Sequence, residues 1–168
     1  MGTATLALAA LATVLVGQAT PAPPRADTYK GHDAMDHWIG TWDVFVGEQK
    51  VGRNEITKTL DGFGVMEHWT NARGKSGRSF FVFEASKGTW KQLWVSDGGW
   101  IVEKEGKAIK DGIRMEGTSR FPDGRVIKAR EMLTKNADGS VRQFMEDYDE
   151  KTKKWVAVWD AKYVRVKK

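Results

Sequence analysis

No cysteine occurs among the 168 residues of the chain. That excludes a disulfide framework, a thiolate metal centre and a lipid-attachment cysteine together, and leaves any folded part to be held by its core alone. Proline is scarce: there are four, and Pro21, Pro23 and Pro24 crowd into one stretch that reads as an extended linker, because proline fixes φ and donates no backbone hydrogen bond. Long apolar runs are also missing. Residues 6–16 form the longest, too short to span a bilayer, and Gly17 and Ala19 follow it. This reads as a secretory signal cleaved after Ala19, although residues 1–5 lack the usual Lys or Arg. The expected organisation is a signal peptide over 1–19, a Pro-rich linker over 20–30 and one domain over 31–168. Export of a chain without cysteine points to the periplasm or the exterior, with no membrane insertion once the leader is removed.

Neither a G-x-S-x-G elbow nor H-E-x-x-H nor a phosphate-binding glycine loop is present. The net charge is +5, which raises the question of nucleic acid. The basic residues alternate with acidic ones, as at Lys104 between Glu103 and Glu105, and no basic run is longer than the terminal Lys167-Lys168. That pattern reads as a solvated mixed surface and argues against a nucleic-acid partner.

What is present is strand and turn. Residues 32–38, His-Asp-Ala-Met-Asp-His-Trp, carry the one helix signal, with Asp33 placed to cap it and Met35 and Trp38 on one face. From Gly40-Thr41-Trp42 onward, short candidate strands are punctuated by Gly47, Asp61-Gly62, residues 74–77, Lys87-Gly88, residues 97–99, Gly106, Asp111-Gly112, residues 122–124, Asp138-Gly139 and residues 149–152. No interval between them is long enough for a crossover helix, so about ten strands should pair antiparallel in an unbroken meander. Such a sheet has two long edges, and closure into an up-and-down barrel removes both. The expected fold is therefore all-β: a closed antiparallel barrel of about ten strands, with the short helix across one end and Trp42 plugging it. A barrel larger than eight strands has room for a small ligand inside. Strict alternation puts Trp90, Gln92 and Trp94 on one face of their strand, and Trp155, Ala157, Trp159, Ala161, Tyr163 and Arg165 on one face of the last.

Gly40-Thr41-Trp42 at the start and Arg165 at the end resemble the calycin superfamily, which implies that the arginine covers the tryptophan and closes the barrel. The wider set is similar to a bacterial family of secreted lipocalin-like domains of unknown function, DUF1579. It comprises residues 38–44, Glu67 with Trp69, Gln92-x-Trp94-Val95, Arg130, residues 138–143, Glu146 and Tyr163. That resemblance implies a barrel and brings no reaction. The related nitrobindin barrels hold haem through a late histidine. The three histidines here are His32, His37 and His68, so no cofactor is expected.

The expected ligand-binding set is Glu67, Trp69, Gln92, Trp94, Arg130, Gln143, Glu146, Trp159 and Tyr163. Its polar members sit in strand interiors, where an unpaired buried atom costs about 1–3 kcal/mol, so they should pair with one another or with a ligand. Parity alone leaves open which face is the lumen, and an Arg130–Glu146 ion pair or simple exposure is the plain alternative. The functional expectation is a binding protein for a small, largely apolar or aromatic molecule. The alternatives are an isomerase or hydrolase using Glu67 or Glu146 as acid or base, and a structural envelope protein with a filled barrel. His32, Asp33, Asp36 and His37 read as a solvated helix face and not as a metal site.

Overall fold

The computed structural model describes residue 22 and residues 24–167; the expected leader and its cleavage site lie outside the described residues. Ten strands follow one another: β1 (Gly40–Val46), β2 (Gln49–Thr59), β3 (Gly64–Asn71), β4 (Ser76–Glu84), β5 (Thr89–Ser96), β6 (Ile101–Ile109), β7 (Gly112–Arg120), β8 (Val126–Lys135), β9 (Val141–Asp149) and β10 (Lys154–Arg165). Each pairs antiparallel with its sequence neighbour, and β1 pairs with β10, so the sheet is a closed up-and-down barrel. Closure gives every strand two partners and leaves no edge to be covered.

Inward and outward residues alternate along each strand, as the pleat requires. In β4 the inward set is Gly77, Ser79, Phe81 and Phe83, and in β8 it is Ala129, Glu131 and Leu133; all are buried. Because consecutive strands run in opposite directions, the interior is layered. The even-numbered hairpins and both termini share one end, and the odd-numbered hairpins share the other.

At the terminal end the interior is filled. A 3₁₀ helix over His32–Trp38 lies across it, burying Ala34, Met35 and Trp38 against Trp42, Phe81, Trp90, Ile113, Leu133 and Val141. Two indole N–H groups hold it in place: Trp42 donates to the Trp38 carbonyl at 2.7 Å and Trp90 to the Gly31 carbonyl at 2.9 Å. Trp38, Trp42 and Trp90 are fully buried, each removing roughly 200 Å² from water, about 4–5 kcal/mol before ordering costs. The helix begins otherwise than the sequence reading has it. Gly31, in the left-handed region at φ 88°, precedes the first turn, no side chain caps it, and Asp33 lies inside. The folded unit also starts earlier than residue 31: Ala26 is buried and Tyr29 packs edge-on against Phe63.

The glycine of Gly40-Thr41-Trp42 has a double cause. Its φ is 141°, and the Arg165 guanidinium occupies the space a side chain would need, with Nη1 only 2.1 Å from where a Cβ would stand. Arg165 lies 4.1 Å over the Trp42 ring and donates to the Ile39 carbonyl at 2.9 Å. The first and last strands thus meet through Trp42 opposite Arg165.

Two local readings are corrected. Gly106 is no turn: it sits inside β6, where its neighbour β7 comes so close that a Cβ would lie 1.9 Å from the Arg114 carbonyl oxygen. The last strand does not alternate strictly either. Its pairing with β9 slips between Ala157 and Trp159, and a bulge moves side chains to the other face. Trp159, Ala161 and Tyr163 point inward, whereas Trp155 lies on the outer wall against Tyr148 and Arg130.

Candidate ligand cavity

Above the plugged end the barrel is hollow, with a cavity of about 410 Å³. Its walls follow from the layering. The inward position next above the apolar plug is polar on eight strands: Asn54, Glu67, Ser79, Gln92, Lys104, Glu131, Gln143 and the Tyr163 hydroxyl. All of these residues are buried. Above them come Trp69, Trp94, Trp100, Phe121 and Trp159, which surround the mouth between the odd-numbered hairpins.

Two mouth indoles stand where they do because a glycine faces them. Trp69 packs over Gly52 of β2 and Trp94 over Gly77 of β4, each ring so near that a Cβ on the glycine would lie within 2.5 Å of it. Trp94 meets Trp100 edge-on at 4.9 Å between centroids, and Trp100 stacks on Phe121 at 5.2 Å. Trp69 and Trp159 meet edge-on across the opening at 6.2 Å.

The polar belt is mostly paired with itself. Asn54 Nδ2 donates to Glu67 Oε1 at 2.7 Å and reaches the Tyr163 hydroxyl at 3.4 Å. The Tyr163 hydroxyl and the Trp159 indole N–H both donate to Gln143 Oε1, at 2.8 and 2.9 Å. Gln92 Nε2 donates to Ser79 Oγ at 3.1 Å. Lys104 Nζ forms an ion pair with Glu131 Oε2, both side chains 2% exposed. The sequence reading of Lys104 as part of a solvated surface is therefore corrected. Its neighbours Glu103 and Glu105 do point out, but Lys104 points into the lumen, where Gly117 and Ala129 on the next two strands leave its chain room to cross β7 and reach Glu131.

Among the described residues three acceptors of this belt remain buried and unpartnered, Asn54 Oδ1, Gln92 Oε1 and Glu131 Oε1, along with one donor at the mouth, Trp100 Nε1. Burial pushes the Glu67 carboxyl up to about 6, against hydrogen bonds from Ser79 and Asn54 that hold it down. Desolvation likewise raises Asp147, which lines the cavity near its mouth, and carries the Tyr163 phenol well above its ordinary value.

Of the nine residues expected to line a site, Glu67, Trp69, Gln92, Trp94, Gln143, Trp159 and Tyr163 face this cavity. Arg130 and Glu146 do not. They lie on the outer wall, paired at 2.5 Å, with the Arg130 guanidinium 4.3 Å over Trp155. Sequence reasoning missed Lys104, Glu131, Ser79, Asn54, Trp100 and Phe121. Trp100 and Phe121 stand in hairpins, where no alternation marks a face. For Glu131 a signal was available, since it alternates with the apolar Ala129 and Leu133. The helix cluster does not converge: His32 Nδ1 bonds the Tyr29 carbonyl at 2.8 Å and Asp36 pairs with Lys58 at 2.5 Å. Among the described residues no three His, Asp or Glu gather as metal ligands.

No protein-family model and no curated protein matches the chain.

Proposed function

We propose that the protein is a carrier for a small, largely apolar or aromatic molecule held inside the barrel, acting outside the cytoplasm once its leader is removed. The observation that carries this reading is the hollow upper half of a barrel whose lower half is packed solid. A volume of about 410 Å³ falls in the ~300–1,000 Å³ range of small-molecule sites. An aromatic wall over a few fixed polar groups is the usual composition of such sites. The volume argues against a filled, purely structural barrel.

A neutral fluorescent probe, N-phenyl-1-naphthylamine, tests the reading. It is expected to bind saturably at one equivalent and to quench tryptophan emission, with the quench reduced in Trp94→Phe or Trp159→Phe. Ala129→Phe, which places a ring in the cavity, should abolish binding while the circular dichroism spectrum stays that of a β-barrel. Absence of saturable binding by the folded wild type would overturn the proposal.

One observation favours a second reading, an enzyme of isomerase or hydrolase type. Glu67, with its carboxyl near 6, is poised to exchange a proton at neutral pH beside the cavity. Glu146 is not available for the role from the outer wall, and His68, next in sequence to Glu67, points out of the barrel. An enzyme would lose turnover in Glu67→Gln, whereas a carrier would retain probe binding in that variant.

A further inference from the structure

We infer that the molecule carried is an organic cation, a protonated amine on an apolar or aromatic body, with its ammonium seated on the polar belt between Gln92 and Glu131. The inference rests on the carrier reading and names its ligand class.

Charge points this way first. Among the described residues lining the cavity, Glu67, Glu131 and Asp147 are carboxylates and Lys104 alone is cationic, so three negative charges against one positive leave the lumen two negative when all are ionised. This interior belongs to a chain whose net charge is +5, so the sign inside the cavity is opposite to that of the chain as a whole. The lysine offers little to an anion. Its charge is already paired with Glu131 Oε2, and a ligand carboxylate brought to it would lie beside Glu131 and near Glu67, two like charges in low dielectric.

Hydrogen-bond accounting points the same way. Three donors of the belt are taken within it: Asn54 Nδ2 on Glu67, Gln92 Nε2 on Ser79, and the Tyr163 hydroxyl on Gln143. Among the described residues the fully buried belt atoms left without a partner are all acceptors. Gln92 Oε1 and Glu131 Oε1 are buried without a partner, in residues 7% and 2% exposed, and both line the cavity. An ammonium has N–H donors and no acceptor, so it supplies what these two oxygens lack. Bonds of this kind, with one or both partners charged, are roughly twice as strong as neutral ones. The mouth agrees, since four indoles and a phenyl ring present π faces that attract cations. Phe121 already holds one, the Arg125 guanidinium 4.6 Å from its centroid. The open donor, Trp100 Nε1, lies in the aromatic layer and not in the belt.

Three matched probes decide the matter by isothermal titration: 4-phenylbutylamine, 4-phenylbutan-1-ol and 4-phenylbutanoate at pH 7.5. The amine is expected to bind at least about tenfold more tightly than the alcohol, and the carboxylate most weakly. The preference for amine over alcohol should shrink several-fold in Glu67→Gln and in the double variant Lys104→Met/Glu131→Met. The double variant removes the buried pair as a unit, so neither charge is stranded. Equal or tighter binding of the alcohol or the carboxylate, or a preference unchanged in both variants, overturns the cation assignment. N-phenyl-1-naphthylamine binding would then still support the carrier reading. If none of the three binds to folded protein that also fails to bind N-phenyl-1-naphthylamine, both readings fall.

Discussion

Glu67 shows what one side chain costs when a layer of a core is polar. Its carboxyl ionises near 6 in the folded barrel against about 4.5 when solvated, so the native state holds this proton more tightly than the unfolded chain does. The stability that this proton confers is complete below about pH 4.5 and is lost as the pH rises through 6, a difference of about 2 kcal/mol. Asp147 acts in the same sense. The surface carboxylates Glu84, Asp123, Asp149 and Glu150, held low by lysine or arginine or by backbone N–H groups, act in the opposite sense and in more acid solution. Glu67→Gln should therefore flatten the fall in melting temperature between pH 4.5 and 6.5, with the gap between variant and wild type changing by roughly 5 °C or more across that window. Parallel curves for the two proteins would show that Glu67 titrates as an ordinary exposed carboxylate.

At the scale of the element, β1 and β10 carry the closure. They are the two strands whose partnership spans nearly the whole domain, and their register brings Trp42 opposite Arg165. The arginine stacks on the indole and bonds the Ile39 carbonyl just before β1 begins. Both contacts are lost in Arg165→Ala, which should cost about 1–2 kcal/mol, since the guanidinium is exposed and its interactions are partly screened. Thermal melting should fall by roughly 3–8 °C with the native circular dichroism retained below the transition. An unchanged melting temperature would mean that the ladder between β1 and β10 closes the barrel unaided. β10 also shows how a single inserted residue redirects an element: past the slip at Val158 the aromatic residues enter the lumen, and before it Trp155 joins Arg130 and Glu146 outside.

At the scale of the whole molecule, the barrel is stable as a ring or not at all. Removing β10 by ending the chain at residue 153 would open the edges of β1 and β9 and take away Tyr163, Ala161 and Trp159 from the interior. An open sheet with a half-apolar lumen is expected to aggregate, so the truncated protein should elute in the void volume on size exclusion and show no cooperative melt. A monomeric, cooperatively melting truncate would refute the ring argument.

The meander itself was legible in the residues, because turn chemistry is local and intervals too short for crossover helices leave only antiparallel neighbours. The Gly40-Thr41-Trp42 start and the inward run Trp90, Gln92, Trp94 were legible for the same reason: alternation along one strand is a property of that strand alone. The tertiary structure decided which parity faces the lumen, and hence that Arg130 and Glu146 stand outside. It decided that Gly106 continues a strand, because the close approach of β7 is what demands a glycine there. It alone brought Lys104 of β6 to Glu131 of β8, since their meeting depends on the small Gly117 of the one intervening strand and on Ala129 of β8. A charge flanked by charges looks solvated in sequence. Only the closing of the ring turns every second one of them inward, into a space where water is scarce and a partner must be found.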